Sequence, residues 1–119
     1  MIDLKKLLAK IILQITPRLI SGTKVEAPAT KLEYASVNVD LSGCNTILVR
    51  TAANNVTQLL TFTRPYGTAN QGVMDYYNSM YFRALVKVNW DNNQVSVAYA
   101  DCPSGRNNLI WIHQIYAIG

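Results

Sequence analysis

The chain has 119 residues, half of them apolar and 15% charged, with a formal net charge of +4. That length makes one domain with a modest core that needs neither metals nor disulfides, and that composition excludes a disordered chain. The basic excess is local: residues 1–31 hold six Lys/Arg against two acids, and residues 32–119 hold five of each. A nucleic-acid binder carries a basic stripe interleaved with aromatics on its folded surface, so no nucleic-acid partner is expected here.

Ile2 to Ile15 predicts a helix. Asp3 near its start suits the helix dipole, Lys5, Lys6 and Lys10 lie further along, and Pro17 stops it. Leu4, Leu8, Ile11 and Ile15 fall on one seam at spacings of four, three and four, the a/d pattern of two heptads. A helix this short is marginal alone in water. Its apolar face therefore needs a cover, and these four residues are the expected oligomerisation contacts. The apolar run Leu7 to Ile15 is broken by Lys10 and is too short to span a bilayer. Three lysines and no aromatic anchor also make a poor membrane-surface helix, so no membrane insertion is expected. Asp3 spoils a signal-peptide n-region, and the expectation is an unprocessed chain made in a cytoplasm. Residues 1–16 are thus an oligomerisation or attachment helix, 17–31 a linker containing Ser21-Gly22-Thr23 and Ala27-Pro28-Ala29-Thr30, and 32–119 a β domain.

From Leu32 the period changes to two. Val37, Val39 and Leu41 alternate with Ser36, Asn38 and Asp40, the pattern of a half-buried strand over Tyr34–Leu41. Ser42 to Asn45 is a turn, and Thr46–Arg50 and Thr57–Thr63 are further strands around Ala52–Asn55. Arg64 to Met80 shows no period and predicts a long polar-aromatic loop, a length that in small domains usually serves function. Phe82, Ala84, Val86, Val88 and Trp90 then alternate with polar residues, Asp91-Asn92-Asn93 turns the chain, and Val95, Val97 and Tyr99 return it. After a loop over Asp101–Asn108 comes WIHQIYAIG, Trp111 to Gly119. Strict alternation sets Ile110, Ile112, Tyr116 and Ile118 on one face and Trp111, His113, Ile115 and Ala117 on the other. Both sets are largely apolar, so the strand is expected to be central and buried on both faces. In a small chain the second face implies another subunit, with Trp111 and Ile115 among the contacts. One N-terminal helix and about six antiparallel strands with turn chemistry between them give the expected fold class, a mainly β antiparallel sandwich.

Catalytic signals are sparse. His113 is the single histidine. A triad would need it to reach Ser104 or Cys102 with Asp101 behind, and no nucleophile elbow surrounds either. No carboxylate pair, phosphate-cradling glycine loop or metal-ligand spacing is present, so no enzyme activity, cofactor or metal is expected. Cys44 and Cys102 match no zinc or redox motif and are expected as free thiols. The loops do carry aromatics and amides. Tyr66, Asn70, Asp75, Tyr76 and Tyr77 gather in the long loop, and Trp90 sits at the hairpin turn. An aromatic platform with amides and carboxylates around it is the usual chemistry of a sugar site. Turn chemistry alone also accounts for Tyr and Asn in β loops, and Trp90 continues the apolar face of its strand.

The opening MIDLKKLLAKIILQI with its Ser-Gly-Thr linker resembles the start of small phage and prophage proteins in which a DLKKLL-type helix leads into a β domain. The ending WIHQIYAIG resembles the apolar terminus of phage tail-tip domains of the H-type lectin or tail-fibre kind. Val37-Asn38-Val39-Asp40-Leu41 followed by Ser42 to Val49 is similar to their first pair of strands. Together these cover about half of the chain. The resemblance implies a β-sandwich that assembles as a homotrimer on a virion, is mounted on other virion proteins through its helix, and binds a host-surface glycan. The loop Arg64–Met80 is longer, and the helix shorter, than that family's pattern. The alternative is a purely structural virion component, such as a head fibre, neck or baseplate piece, without a ligand.

Overall fold

The computed structural model describes residues 3–8, 16–64 and 71–119. Residues 4–8 are helical. Asp3 caps them, its carboxylate accepting from the backbone N–H of Lys5 at 3.0 Å and Lys6 at 3.3 Å, which satisfies donors that a helix start leaves free. Leu4, Leu7 and Leu8 are all exposed. Ile11 and Ile15, the other half of the expected seam, lie outside the described residues.

Nine strands follow among the described residues: β1 (Arg18–Ser21), β2 (Val25–Glu26), β3 (Ala35–Asn38), β4 (Thr46–Ala53), β5 (Val56–Thr63), β6 (Gln71–Tyr77), β7 (Met80–Asn89), β8 (Gln94–Asp101) and β9 (Ile110–Ile118). They form two antiparallel sheets. Sheet A runs β1-β9-β4-β5, with β2 also paired to β9, and sheet B runs β3-β8-β7-β6. The fold is an antiparallel β-sandwich with a short N-terminal helix, as the alternation implied.

The core lies between the sheets. Ile47, Val49 and Phe62 of sheet A meet Phe82, Val86, Val88, Val95 and Val97 of sheet B, with Leu41 closing one end. Each fully buried side chain of this size contributes about 1.5–3 kcal/mol. Asn residues make the turns. Asn54 (φ 53°) closes β4–β5, and Asn93 (φ 54°) closes β7–β8. Asn93 also accepts from Leu41 N–H through its side chain and from Val39 N–H through its carbonyl, both at 2.9 Å. That one turn therefore anchors the segment after β3.

Three expectations are corrected. Residues 17–31 are not a linker: β1 and β2 lie there and pair with β9. They are too short to show a period. Arg64–Met80 is not one long loop, because β6 occupies Gln71–Tyr77 and pairs with β7 through a two-residue turn at Asn78-Ser79. Both turn residues have positive φ, 50° and 62°, the geometry that matches strand twist in a tight hairpin. The alternation expected for β9 also breaks. Its register with β4 shifts between Val49 and Thr51, so His113 and Gln114 together face Arg50. This is a β-bulge. Past it the faces exchange, and the core set is Ile110, Ile112, Ile115 and Ala117, each 0% exposed. Ile115 is thus a core residue of its own chain, and its side chain is not available to another subunit. Much of the apparent two-sided apolarity came from reading through the bulge. β9 is nonetheless internal to its sheet, flanked by β1 and β2 on one side and β4 on the other.

Candidate functional site

The β6–β7 hairpin brings tyrosines together on the outer face of sheet B. Tyr76 and Tyr81 are direct cross-strand partners, with ring centroids 4.7 Å apart and planes tilted by 49°. Both stay about half exposed, at 57% and 48%. Beyond Tyr81, Arg83 lays its guanidinium 5.3 Å from the Tyr81 ring centroid and pairs through Nε with Asp101 Oδ2 at 2.7 Å. This ion pair is largely solvated and contributes less than about 1 kcal/mol to stability; it does fix the Arg83 guanidinium beside the ring. Next to it a cleft of about 310 Å³ is lined by Met80, Tyr81, Asp101, Cys102 and Pro103. The result is an aromatic ledge on a rigid sheet, ending in a notch with a carboxylate.

The other expected ligand residues scatter. Tyr77 pairs with Met80, so it points to the opposite side of the sheet from Tyr76. Asp75 is a clamp: its Oδ2 accepts from Asn54 Nδ2 at 3.0 Å and from Asn55 N–H at 3.3 Å, tying β6 to the β4–β5 turn. Trp90 is not a platform. It is 7% exposed within the core cluster, and the Arg64 guanidinium lies over its ring at 4.5 Å. Tyr66 and Asn70 lie outside the described residues. Tyr81, Arg83 and Asp101 complete the ledge and were not marked as one site by sequence. The available signal was Asn78-Ser79: taken as a two-residue turn, it sets Tyr76 opposite Tyr81.

A second concavity, on the outer face of sheet A, had no sequence signal. The register sets Tyr116 of β9 beside Leu48 of β4, and Arg50 of β4 beside Leu59 of β5. With Gln58 and Gln114 these residues line a groove of about 450 Å³. Arg50 Nη1 donates to Gln114 Oε1 at 3.2 Å, and its guanidinium lies 5.3 Å from the Trp111 centroid. Trp111, expected at a subunit contact, is half-buried there, with Lys24 also over its ring at 5.1 Å. His113 turns to the N-terminal strands, its Nε2–H donating to the Gly22 carbonyl at 3.0 Å.

The thiols are free and separate. Cys44 is buried, with Sγ 3.6 Å from the Leu41 carbonyl, and Cys102 lies 3.1 Å from the Pro103 carbonyl. Burial pushes both thiols above their ordinary pKa, while nearby Arg18 and Arg64 pull Cys44 back. Asp40 is held below its ordinary value by the Ser42 hydroxyl and backbone N–H. Among the described residues, no three His, Cys, Asp or Glu cluster as a metal site requires, and no helix is long and apolar enough to cross a membrane.

The fold and its faces define a class, an antiparallel β-sandwich with one aromatic ledge and one lined groove. No family model, curated protein or solved structure matches the chain.

Proposed function

We propose that this protein is a surface-recognition module of a phage or prophage virion. It assembles as a homotrimer, attaches to other virion proteins through its N-terminal helix, and binds a host-surface glycan on the outer face of sheet B. The exposed Tyr76–Tyr81 pair carries this reading. Two rings held 4.7 Å apart on a sheet, tilted to each other by 49°, supply an apolar area at low entropic cost against which the C–H face of a sugar ring can pack. Asp101 and Arg83 at the end of the ledge supply an acceptor and donors for hydroxyls. The virion setting and the trimer rest on the resemblance of the helical opening and the terminal strand.

The test is binding to a glycan array and to bacterial cells by the native chain and by the double variant Tyr76→Ala, Tyr81→Ala. The expected outcome is loss of binding by the variant, with its melting temperature lowered by no more than a few degrees because both rings are exposed. A native chain that binds neither glycans nor cells leaves the purely structural virion component as the reading.

A further inference from the structure

We propose that the groove on the outer face of sheet A is a second binding site, for a saccharide bearing a carboxylate, with Arg50 as the carboxylate receptor. This stands on the groove's own lining and does not depend on the ledge of sheet B.

The electrostatics come first. No Asp or Glu lines the groove. Among the described residues the sole ion pair is Arg83–Asp101 on the other sheet, and residues 1–2, 9–15 and 65–70 contain no acid in their sequence. Arg50 is therefore a half-buried cation without a carboxylate. Its bond to the Gln114 amide oxygen occupies one of five guanidinium donors. The others remain for a fork that a planar carboxylate fits in bidentate fashion. The Trp111 ring lies beside the guanidinium and narrows the space it can sample, which lowers the entropic cost of binding.

The rest of the lining selects what carries the carboxylate. Leu48, Leu59 and the Tyr116 ring give an apolar floor, while Gln58 and Gln114 add amide donors and acceptors. Inorganic anions would make no use of the floor, and a fatty acid would leave the amides unpaired, at a cost. A sugar acid uses all three features, and the groove volume of about 450 Å³ lies in the range of small-ligand sites. Charge disfavours two other occupants. The helical segment of this or another chain would bring Lys5 and Lys6 toward Arg50, and a second copy of the groove would bring Arg50 against Arg50. The site is also built into the fold, because the β9 bulge is what places Gln114 opposite Arg50.

The experiment uses the full ¹⁵N-labelled chain, titrated with a galacturonic acid trisaccharide, with N-acetylneuraminic acid, with the methyl ester of each, and with acetate. At least one of the two sugar acids is expected to shift the amides of Leu48, Arg50, Gln114 and Tyr116 saturably, with a Kd below about 20 mM. Two comparisons are read with the acid that binds. Removing the carboxylate charge with the protein unaltered, as the methyl ester does, should weaken binding at least about tenfold, and Arg50→Gln should do the same to the acid. Arg83→Gln should leave the groove shifts unchanged, which separates this site from the ledge. Four results would overturn the proposal: no groove shifts with either sugar acid, equal binding of acid and ester, equal binding of acetate, or groove shifts that follow protein dilution without sugar. The last would make the groove the seat of a second copy. The acid–ester comparison needs no variant and so survives if Arg50→Gln fails to fold.

Discussion

Arg50 of β4 and Gln114 of β9 face each other across a β-bulge, Nη1 to Oε1 at 3.2 Å. One extra residue in β9 has two effects. It adds an amide to the outer groove, and it returns Ile115 and Ala117 to the core.

The bulge makes a prediction about parity. Ile115 is 0% exposed, whereas Ile118 lies on the outer face and is half-buried. Ile115→Ala should destabilise the protein by about 2–5 kcal/mol. Ile118→Ala should cost about 1 kcal/mol or less. Urea unfolding of the two variants checks this, and equal losses would contradict the register.

Arg64 joins three features. Its side chain donates to the carbonyls of Cys44 and Leu41 while its guanidinium covers the Trp90 ring. Arg64→Ala should cost about 2–3 kcal/mol, the scale of charge-assisted hydrogen bonds lost from a partly buried site. It should also expose the indole face, seen as stronger acrylamide quenching of tryptophan fluorescence. Unchanged quenching would mean that another group covers the ring.

Leu32 adopts φ 63° while 53% exposed. That left-handed conformation strains an L side chain, and Asn tolerates it better. Leu32→Asn should therefore stabilise the fold by about 1 kcal/mol, read as a raised denaturation midpoint. A lowered midpoint would show that the leucine contributes packing that outweighs the strain.

How much of this was legible depends on the local period. The β7–β8 hairpin could be read because Phe82, Ala84, Val86 and Val88 repeat without interruption and Asn93 supplies the turn. Strand β6 could not. It is an edge strand in which only Val73 is fully buried, so its pattern is mostly exposed residues held by pairing to β7. β1 and β2 are four and two residues long and exist because β9 offers them partners. The groove was hidden for a further reason. Arg50, Leu59 and Tyr116 come from three strands, and their meeting depends on a bulge that alternation alone does not reveal.

The cysteines give a pH prediction. Burial raises both thiols above the ordinary value of 9.0. The unfolded chain therefore loses these protons first as pH rises. Their contribution is full below that value and declines above it, because the unfolded state then binds fewer protons. Stability should be flat in this respect near neutrality and fall in alkali. Native alkylation should be slow at both thiols and slower at Cys44, which is 5% exposed. Equal, rapid modification of both at neutral pH would contradict this.

The helix predicts a separable function. Leu4 and Leu8 are 74% and 57% exposed, so their loss removes nothing from the sandwich core. Leu4→Ala with Leu8→Ala should leave the unfolding midpoint of the sandwich unchanged while weakening assembly. Light scattering should move from three times the 13.3 kDa chain mass toward a single chain. A native chain that is already monomeric would remove the trimer from the proposal.

The position of β9 also governs how the molecule is made. β4–β5 and β6–β7–β8 are local hairpins that can pair as soon as they are synthesised. Sheet A cannot close in that way. One of its two inner strands, β9, comes after all the others, and Arg18 finds Ala117 only across almost the whole fold. Until β9 arrives, the edge of β4 that it pairs with stays open along a strand with one charge and no proline, TILVRTAA. Such a strand is a template for pairing with other chains. Nascent chains are therefore most vulnerable to each other just before β9 is added, and soluble yield should follow the speed of that final docking more closely than the stability of the finished sandwich.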